Sequence, residues 1–525
     1  MHAAYRSRTR CGVRGKVWSV AFNPGYASTA AGLRAATERA IDTAPIDTGR
    51  RGPGRRAAAS GPVALVRRAR PEVVPLAPAQ ERMWSAGRCD GDWNVARALR
   101  IRGGAVDVAA LVAAIGDVVA RHAPLRTRYP GTGHGAVQVV GEPGTAPAVG
   151  VCAVGEAQLP MVLREFCGRG FELAAEPPIR ARVLLLGERD VVLALVIHHI
   201  AVDGRSVAPL LRDLTAAYAA RAAGSGPRWA PLPVDYVDYT LWKHAQLGDF
   251  ADPWSRASHQ LRYWANALAG RPCQLALPFD RPRPPRPGTA GAAVAVSFDA
   301  RVHRRLLERA QRARSSVFMV LQAAFALSVG AIAHCPDVTV ATAVSGRDHR
   351  LLDDLIGNFA ADVLLRVRLD RAEDVDDLLA QVRRLTLAAF AHPDVPNPRL
   401  KRCLLQGPEH PLFQATLILQ RNMIRPTPIP GALSVVDIPT HNLRAKHDLE
   451  FALTEHYRPG AIPSGIDGSL IYPTALFDHA TATAFAERFT ATVELLADGY
   501  AGGLRPLLAA TRVIPARAQP RISST

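Results

Sequence analysis

The sequence predicts an α/β protein folded as two lobes, and three observations carry that expectation. Its 525 residues exceed what one hydrophobic core organises, since domains cluster near about 100–200 residues and cores stop growing at roughly 250–300. From Pro75 onward, segments of helical and of strand periodicity alternate densely. A proline-rich break, Leu277-Pro278-Phe279-Asp280-Arg281-Pro282-Arg283-Pro284-Pro285, separates two halves written in the same alphabet. The composition, 48% hydrophobic and 21% charged with mean hydropathy near zero, leaves ample apolar surface for two cores and excludes a mainly disordered chain.

Residues 1–70 stand apart. They are rich in Arg, Ala and Gly, centre on Arg50-Arg51-Gly52-Pro53-Gly54-Arg55-Arg56 and show little periodic hydrophobicity, so a basic extension or linker is expected. A first lobe is expected over 71–250. In it Val106–His122 has helical spacing, while Arg182–Leu186 and Val191–Ile197 are apolar runs flanking Gly187-Glu188-Arg189-Asp190, a hairpin signal. A helix is predicted over Ser206–Ala223 with Ser206 as its N-cap. The second lobe, 251–510, carries predicted helices at Arg301–Arg314, Ser316–Ala333 and Val375–His392. Its predicted strands lie near Val338–Val344, Ala360–Leu369, Gln414–Leu419 and Leu449–Glu455, and 511–525 form a tail.

The formal charge of +18 invites a nucleic-acid reading until it is mapped along the chain. Residues 1–70 hold 14 basic and 3 acidic side chains, the remaining 455 residues 50 and 43, so the excess belongs to the extension. That segment carries no recognisable nucleic-acid-binding fold, which argues against nucleic acid as a partner. Seven cysteines (Cys11, Cys89, Cys152, Cys167, Cys273, Cys335, Cys403) form no C-x-x-C pair, as expected for reduced thiols in a cytoplasmic protein rather than a disulfide framework or zinc site. Val17–Phe22 is shorter than a signal peptide's apolar core of roughly 7–15 residues. The longest apolar run, Phe318–Ala333, is interrupted by Gln322 and Ser328 and falls short of the about 20 residues of a membrane span. It is expected to be a buried helix. No short-period repeat is visible.

Chemistry concentrates in Val196-Ile197-His198-His199-Ile200-Ala201-Val202-Asp203-Gly204-Arg205-Ser206. Adjacent histidines at the end of a buried strand point to opposite faces, so one can enter a cavity while the other packs in the scaffold. Asp203-Gly204 then turns the chain into a helix, with glycine available for a positive φ. An imidazole at such a corner is suited to proton transfer near neutral pH. Taken alone, the pair is compatible with a structural role as well as a catalytic one.

Along nearly all of 72–510 the chain resembles the condensation domains of nonribosomal peptide synthetases. The family's H-H-x-x-x-D-G is met by His198, His199, Asp203 and Gly204. Its first motif appears as Pro78-Ala79-Gln80-Glu81-Arg82-Met83-Trp84, its second as Arg121-His122-Ala123-Pro124-Leu125-Arg126-Thr127, and its fourth as Tyr236-Val237-Asp238-Tyr239-Thr240-Leu241-Trp242. Weaker echoes follow at Asp280–Pro284, Ser345-Gly346-Arg347, Ile356-Gly357-Asn358-Phe359, His392–Pro396 and His410–Gln414. Ala361-Asp362 stands where the family usually has Asn-Thr, and Asn397-Pro398 where it has Phe-Glu.

The resemblance implies two chloramphenicol-acetyltransferase-like lobes meeting in a V, with an interlobe tunnel that admits phosphopantetheine arms from carrier proteins. It implies an acyltransferase joining a carrier-bound acyl or aminoacyl thioester to an acceptor amine, with His199 as catalytic residue, His198 structural and Gly204 near the thioester. Asp203 is expected to pair with Arg126 and fix the turn. Tyr236 and Trp242 are expected to pack, and Gln80 with Arg82 to anchor an interlobe segment. No metal or cofactor of its own is expected. The partners implied are peptidyl or acyl carrier proteins and other synthetase modules, because the sequence shows no adenylation-type Pro-Lys-Gly loop and no carrier attachment serine. Two alternatives share the resemblance: a superfamily acyltransferase that esterifies an alcohol, and a non-catalytic domain that docks a tailoring enzyme.

Overall fold

The computed structural model describes residues 63–85, 91–133, 135–145, 147–272, 274–284, 288–404, 411–421, 434–440 and 443–510. The principal strands are β1 (Asn94–Arg102), β2 (Val149–Ala153), β3 (Ile179–Gly187), β4 (Asp190–His198), β5 (Gly291–Phe298), β6 (Asp337–Val344), β7 (Ala361–Arg368), β8 (Ala415–Arg421), β9 (Ser434–Asp437), β10 (Leu449–Arg458) and β11 (Ile462–Pro473). The helices used below are α1 (Pro78–Ser85), α2 (Val108–Arg121), α3 (Val207–Ala222), α4 (Tyr236–Leu247), α5 (Val317–Ile332), α6 (Val375–Phe390) and α7 (Asn397–Leu404).

Each half builds its own sheet and core. The first sheet runs β9-β1-β4-β3-β2, the second β7-β6-β8-β10-β11-β5. The predicted hairpin forms β3 and β4, paired antiparallel from Ile179 opposite Ile197. α2 buries Ala110, Leu111, Ala114, Ile115, Val118 and Val119, one stripe of a 3.6-residue period, and packs with α3 over that sheet. α5 is buried at every position except Phe318, and among the described residues no single helix is long and apolar enough to cross a membrane.

The boundary between halves is less simple than the sequence order implies. β9 lies far into the second half, yet it pairs antiparallel with β1, Ser434 opposite Arg102 and Asp437 opposite Leu99. It covers the edge of the first sheet, where β1 would otherwise present an unpaired row of amides and carbonyls. A further apolar cluster joins Leu65, Ala77, Tyr236, Tyr239 and Trp242 to Leu352, Leu355 and Phe359. The two halves therefore share a core as well as a strand.

The expected extension to residue 70 falls mostly on 1–62, outside the described residues, but its last part contradicts that boundary. Leu65 is buried, Val63 O accepts from Trp242 Nε1 at 2.6 Å, Arg67 donates to Leu232 O at 2.7 Å, and Arg68 N donates to Asp238 Oδ1 at 2.9 Å. Asp235 and Asp238 form the capping box of α4, so the segment ties onto a helix end already organised to bind amides. Residues 63–70 belong to the body because a leucine and several fixed acceptors repay their ordering. A chain beginning at Pro71 is expected to lose roughly 1.5–3 kcal/mol from Leu65 burial alone relative to one beginning at Val63, seen as a lower urea midpoint. Equal midpoints would show that this packing contributes nothing.

Candidate active site

β4 carries the paired histidines to the boundary between the halves. Its last residue, His198, is buried; its Nδ1 accepts from Ile200 N at 3.1 Å and its ring meets Phe171 edge-on at 6.1 Å. Burial, with a smaller effect from the Lys446 ammonium, pushes its pKa down to about 4, so it is a neutral part of the scaffold. His199 turns to the other side. Its backbone N donates to Trp93 O at 2.7 Å, its ring lies edge-on to Trp93 at 6.3 Å, and its Nδ1 is buried with no hydrogen-bond partner. Burial first, then Lys446 and Arg82, hold the His199 imidazole well below the ordinary histidine range. Unlike the imidazole of a serine-protease triad, it has no carboxylate bonded to Nδ1 among the described residues to stabilise a positive charge.

The turn after His199 is fixed by Asp203, and here the structure corrects the sequence expectation. Asp203 does not pair with Arg126. Its Oδ1 accepts from Arg347 Nη2 at 3.1 Å and from Ser206 N at 2.8 Å, and its Oδ2 accepts from Phe359 N at 3.1 Å. Arg347 also donates to Leu355 O at 2.9 Å and to Ser206 Oγ at 2.8 Å, and its guanidinium lies over the Phe359 ring at 4.1 Å. Ser206 occupies the N-cap position of α3 as expected, but its side chain makes no capping bond to that helix. Asp203 caps the short 3₁₀ turn Gly204–Ser206, which leaves Ser206 Oγ 2.8 Å from Gly357 O and accepting from Gly357 N at 3.1 Å. Charge-assisted bonds of this kind are strong, and these cross between the halves.

Arg126 is instead consumed locally. Its Nε donates to Gly141 O at 2.8 Å and its Nη1 to Ala120 O at 2.9 Å and Val119 O at 3.2 Å. The last carbonyls of α2 have no partners within the helix, and the 3₁₀ turn Ala123–Arg126 brings the guanidinium back onto them.

Gly204 is not among the positive-φ glycines, so the turn does not use it for backbone handedness. A Cβ there would lie 3.3 Å from Gln420 Nε2 of β8. Gly346, beside Arg347, does adopt φ +59°, and a Cβ would sit 1.9 Å from Phe359 O.

The first motif divides between the halves. Gln80 stays in the first: its Nε2 donates to Tyr129 Oη at 3.2 Å, and its Oε1 accepts from Ala77 N at 3.0 Å. Arg82 crosses, forming an ion pair with Asp362, while Asn397 Nδ2 donates to the same carboxylate at 3.0 Å. The two departures from the family pattern thus meet each other. Tyr236 and Trp242 pack in the shared cluster as expected, and the Tyr236 hydroxyl donates to Asn358 O. Sequence reasoning missed Trp93 and Lys446, whose Nζ lies 4.8 Å above the Trp93 ring. Neither falls in a quoted motif, and their meeting is purely tertiary.

Among the described residues no group of three or more His, Cys, Asp or Glu side chains is placed to hold a metal. Together, the described groups offer an imidazole kept neutral by burial and by the fields of Lys446 and Arg82, a setting for proton transfer. The condensation-domain family profile matches residues 71–507. The chain belongs to the condensation-domain family.

Relatives of this condensation domain include a nonribosomal peptide synthetase of Salinispora arenicola, 40% identical over 434 residues, which are 81% of this chain and 5% of that protein. The isonitrile lipopeptide synthase of Mycobacterium tuberculosis is 39% identical over 81% of this chain and 17% of its own length. The chain thus spans less than a fifth of the length of either relative. Among solved structures, the X-domain from teicoplanin biosynthesis is 33% identical with a TM-score of 0.78, covering 84% of this chain and 99% of that one. The first condensation domain of the calcium-dependent antibiotic synthetase, at 18% identity and TM-score 0.64, covers 82% of this chain and 98% of that one, a likeness of fold alone. The condensation domain has the chloramphenicol-acetyltransferase-like fold of these neighbours.

Four histidines with depressed pKa values also weaken this condensation domain in acid. His199, His198, His122 and His447 are all held low, burial being the largest cause in each. The ordinary value is 6.5. Below it the unfolded chain binds more protons than the folded one, so stability is complete above pH 6.5 and is lost as pH falls through about 4. Urea midpoints are expected to be flat from neutral pH upward and to drop across that window. A midpoint rising on acidification would contradict the neutral assignment.

Proposed function

We propose that this condensation domain forms an amide between a carrier-bound acyl or aminoacyl thioester and an acceptor amine, with His199 at the reacting nitrogen. The observation that carries the reading is the His199 imidazole itself: neutral, half-buried at the junction of the halves, and without a protein partner on Nδ1. An amine attacks only with its lone pair free, and the bond it forms to the thioester carbon leaves an excess proton on nitrogen. A neutral imidazole accepts that proton and returns it to the departing thiolate as the C–S bond breaks. Because Lys446 and Arg82 disfavour an imidazolium, His199 is suited to hold the proton briefly and to align the amine rather than to store charge. His198, Asp203, Gly204 and Arg347 support the turn that presents it. Substrates arrive on phosphopantetheine arms of carrier proteins, so the domain acts beside other synthetase modules in the cytoplasm.

The test is to incubate the full chain with donor-loaded and acceptor-loaded carriers and measure the joined product by mass. Product that depends on both carriers supports the reading, and its absence sinks it. One observation favours a second reading. The solved complex of the X-domain and OxyB is 33% identical with a TM-score of 0.79, covering 86% of this chain and 99% of that one. By that analogy the domain docks a partner protein. No product with either an amine or an alcohol acceptor, together with a stable complex with a tailoring enzyme, would favour docking.

A further inference from the structure

We propose that Lys446 is the second polar group of the reaction, its ammonium neutralising the negative charge that develops on the thioester carbonyl oxygen while His199 handles the proton. The proposal rests on the amide-forming reading above and adds a residue to it.

Trp93 provides the placement. One indole forms a common wall: the His199 ring meets it edge-on at 6.3 Å, and Lys446 Nζ lies over its face at 4.8 Å. His199 and Trp93 come from the first half, flanking β4 and β1, whereas Lys446 comes from the run that leads into β10. The two polar groups therefore converge from opposite halves of the chain. An ammonium over an indole face is held by the ring's quadrupole without being neutralised.

Charge balance then separates Lys446 from its neighbours. Of the two cations that act on His199, Arg82 is matched by Asp362, itself fixed by Asn397. No carboxylate of the described residues lies within ion-pair distance of Lys446. Burial lowers its pKa, Glu450, Asp362 and Asp92 act at longer range to raise it, and Arg82 acts to lower it. Desolvation lowers the pKa of the neighbouring His447 as well, so it adds no second cation there. A poorly solvated cation gains most when negative charge appears nearby.

The reaction creates such charge. As the amine nitrogen bonds to the thioester carbon, the carbonyl π pair moves onto oxygen; when the carbonyl re-forms, the C–S bond breaks and its electron pair leaves on sulfur. The proton shed by nitrogen passes through His199 to that sulfur. His199 is positive only while it carries that proton toward sulfur, whereas the Lys446 ammonium is already in place as charge develops on the oxygen.

The test uses the full chain with both loaded carriers, comparing wild type, Lys446→Met and Lys446→Arg, while the His199 imidazole is titrated by NMR with His199→Ala as assignment control. Methionine keeps an apolar stem on Trp93 and removes the charge; arginine keeps the charge. Single-turnover product formation is expected to fall about 100-fold in Lys446→Met and to stay within about tenfold of wild type in Lys446→Arg, by the same electrostatic argument. The His199 titration is expected to move to higher pH only in Lys446→Met, because a repelling cation has gone. Thermal unfolding distinguishes these effects from a fold defect. A wild type that forms no product overturns the amide-forming reading. A wild type that forms product while Lys446→Met keeps its rate, or leaves the His199 titration in place, overturns the role of Lys446.

Discussion

Replacing His199 by alanine is expected to lower product formation on carrier-bound substrates by a factor of about 10²–10⁴, the usual contribution of a positioned acid-base group, with the melting temperature preserved. The substitution removes a ring whose Nδ1 serves no other protein group, so it orphans no donor. The bond that fixes the backbone, His199 N to Trp93 O at 2.7 Å, is main-chain and survives. By contrast, His198→Ala removes the acceptor for Ile200 N and a ring packed on Phe171, so its loss is expected in stability. Product mass and thermal unfolding of both variants decide the matter. Near-wild-type turnover in His199→Ala would remove it from the chemistry.

Asp203 and Arg347 are expected to show the largest coupling in stability. Their side chains are almost wholly buried, at 3% and 1% exposure, and breaking such a pair by removing one partner costs about 3–5 kcal/mol because a buried charge is left unmatched. In a double-mutant cycle of Asp203→Asn and Arg347→Met, the double variant is expected to be well above the sum of the singles in unfolding free energy, since removing both charges removes the mismatch. Arg126→Met in place of Arg347→Met is expected to be additive with Asp203→Asn. The opposite pattern would restore the pairing expected from the sequence.

The local part of the site was legible in the sequence, and the long-range part was not. A β-branched run ending in His198-His199, then Asp203-Gly204 before an apolar periodic segment, specifies strand, turn and helix by neighbours alone. The same locality placed Ser206 at the cap position but misled about its hydroxyl, which is taken by Gly357 and Arg347 from 151 and 141 residues away. Arg126 misled for a related reason: a motif arginine carries no mark of whether it serves a carboxylate or its own helix end. The true partner, Arg347, was visible as Ser345-Gly346-Arg347 but had no pattern that tied it to Asp203. Asp362 and Asn397 stood out as departures, and only the fold reveals that they bond each other directly while Asp362 also pairs with Arg82. Trp93 and Lys446 left no trace, because a cation over an indole requires no spacing in sequence.

The borrowed strand β9 bears on how such proteins can be recombined. A chimera cut at the proline-rich break would take its second half, and with it Ser434–Asp437, from a foreign parent, and lay that strand against a resident β1. Main-chain pairing tolerates the exchange, but the Arg97–Asp437 ion pair that crosses the seam asks that both parents agree at these two positions. The dependence runs one way: the first half needs a strand from the second to cover its sheet edge, so exchanging the whole domain keeps a match that exchanging one half puts at risk.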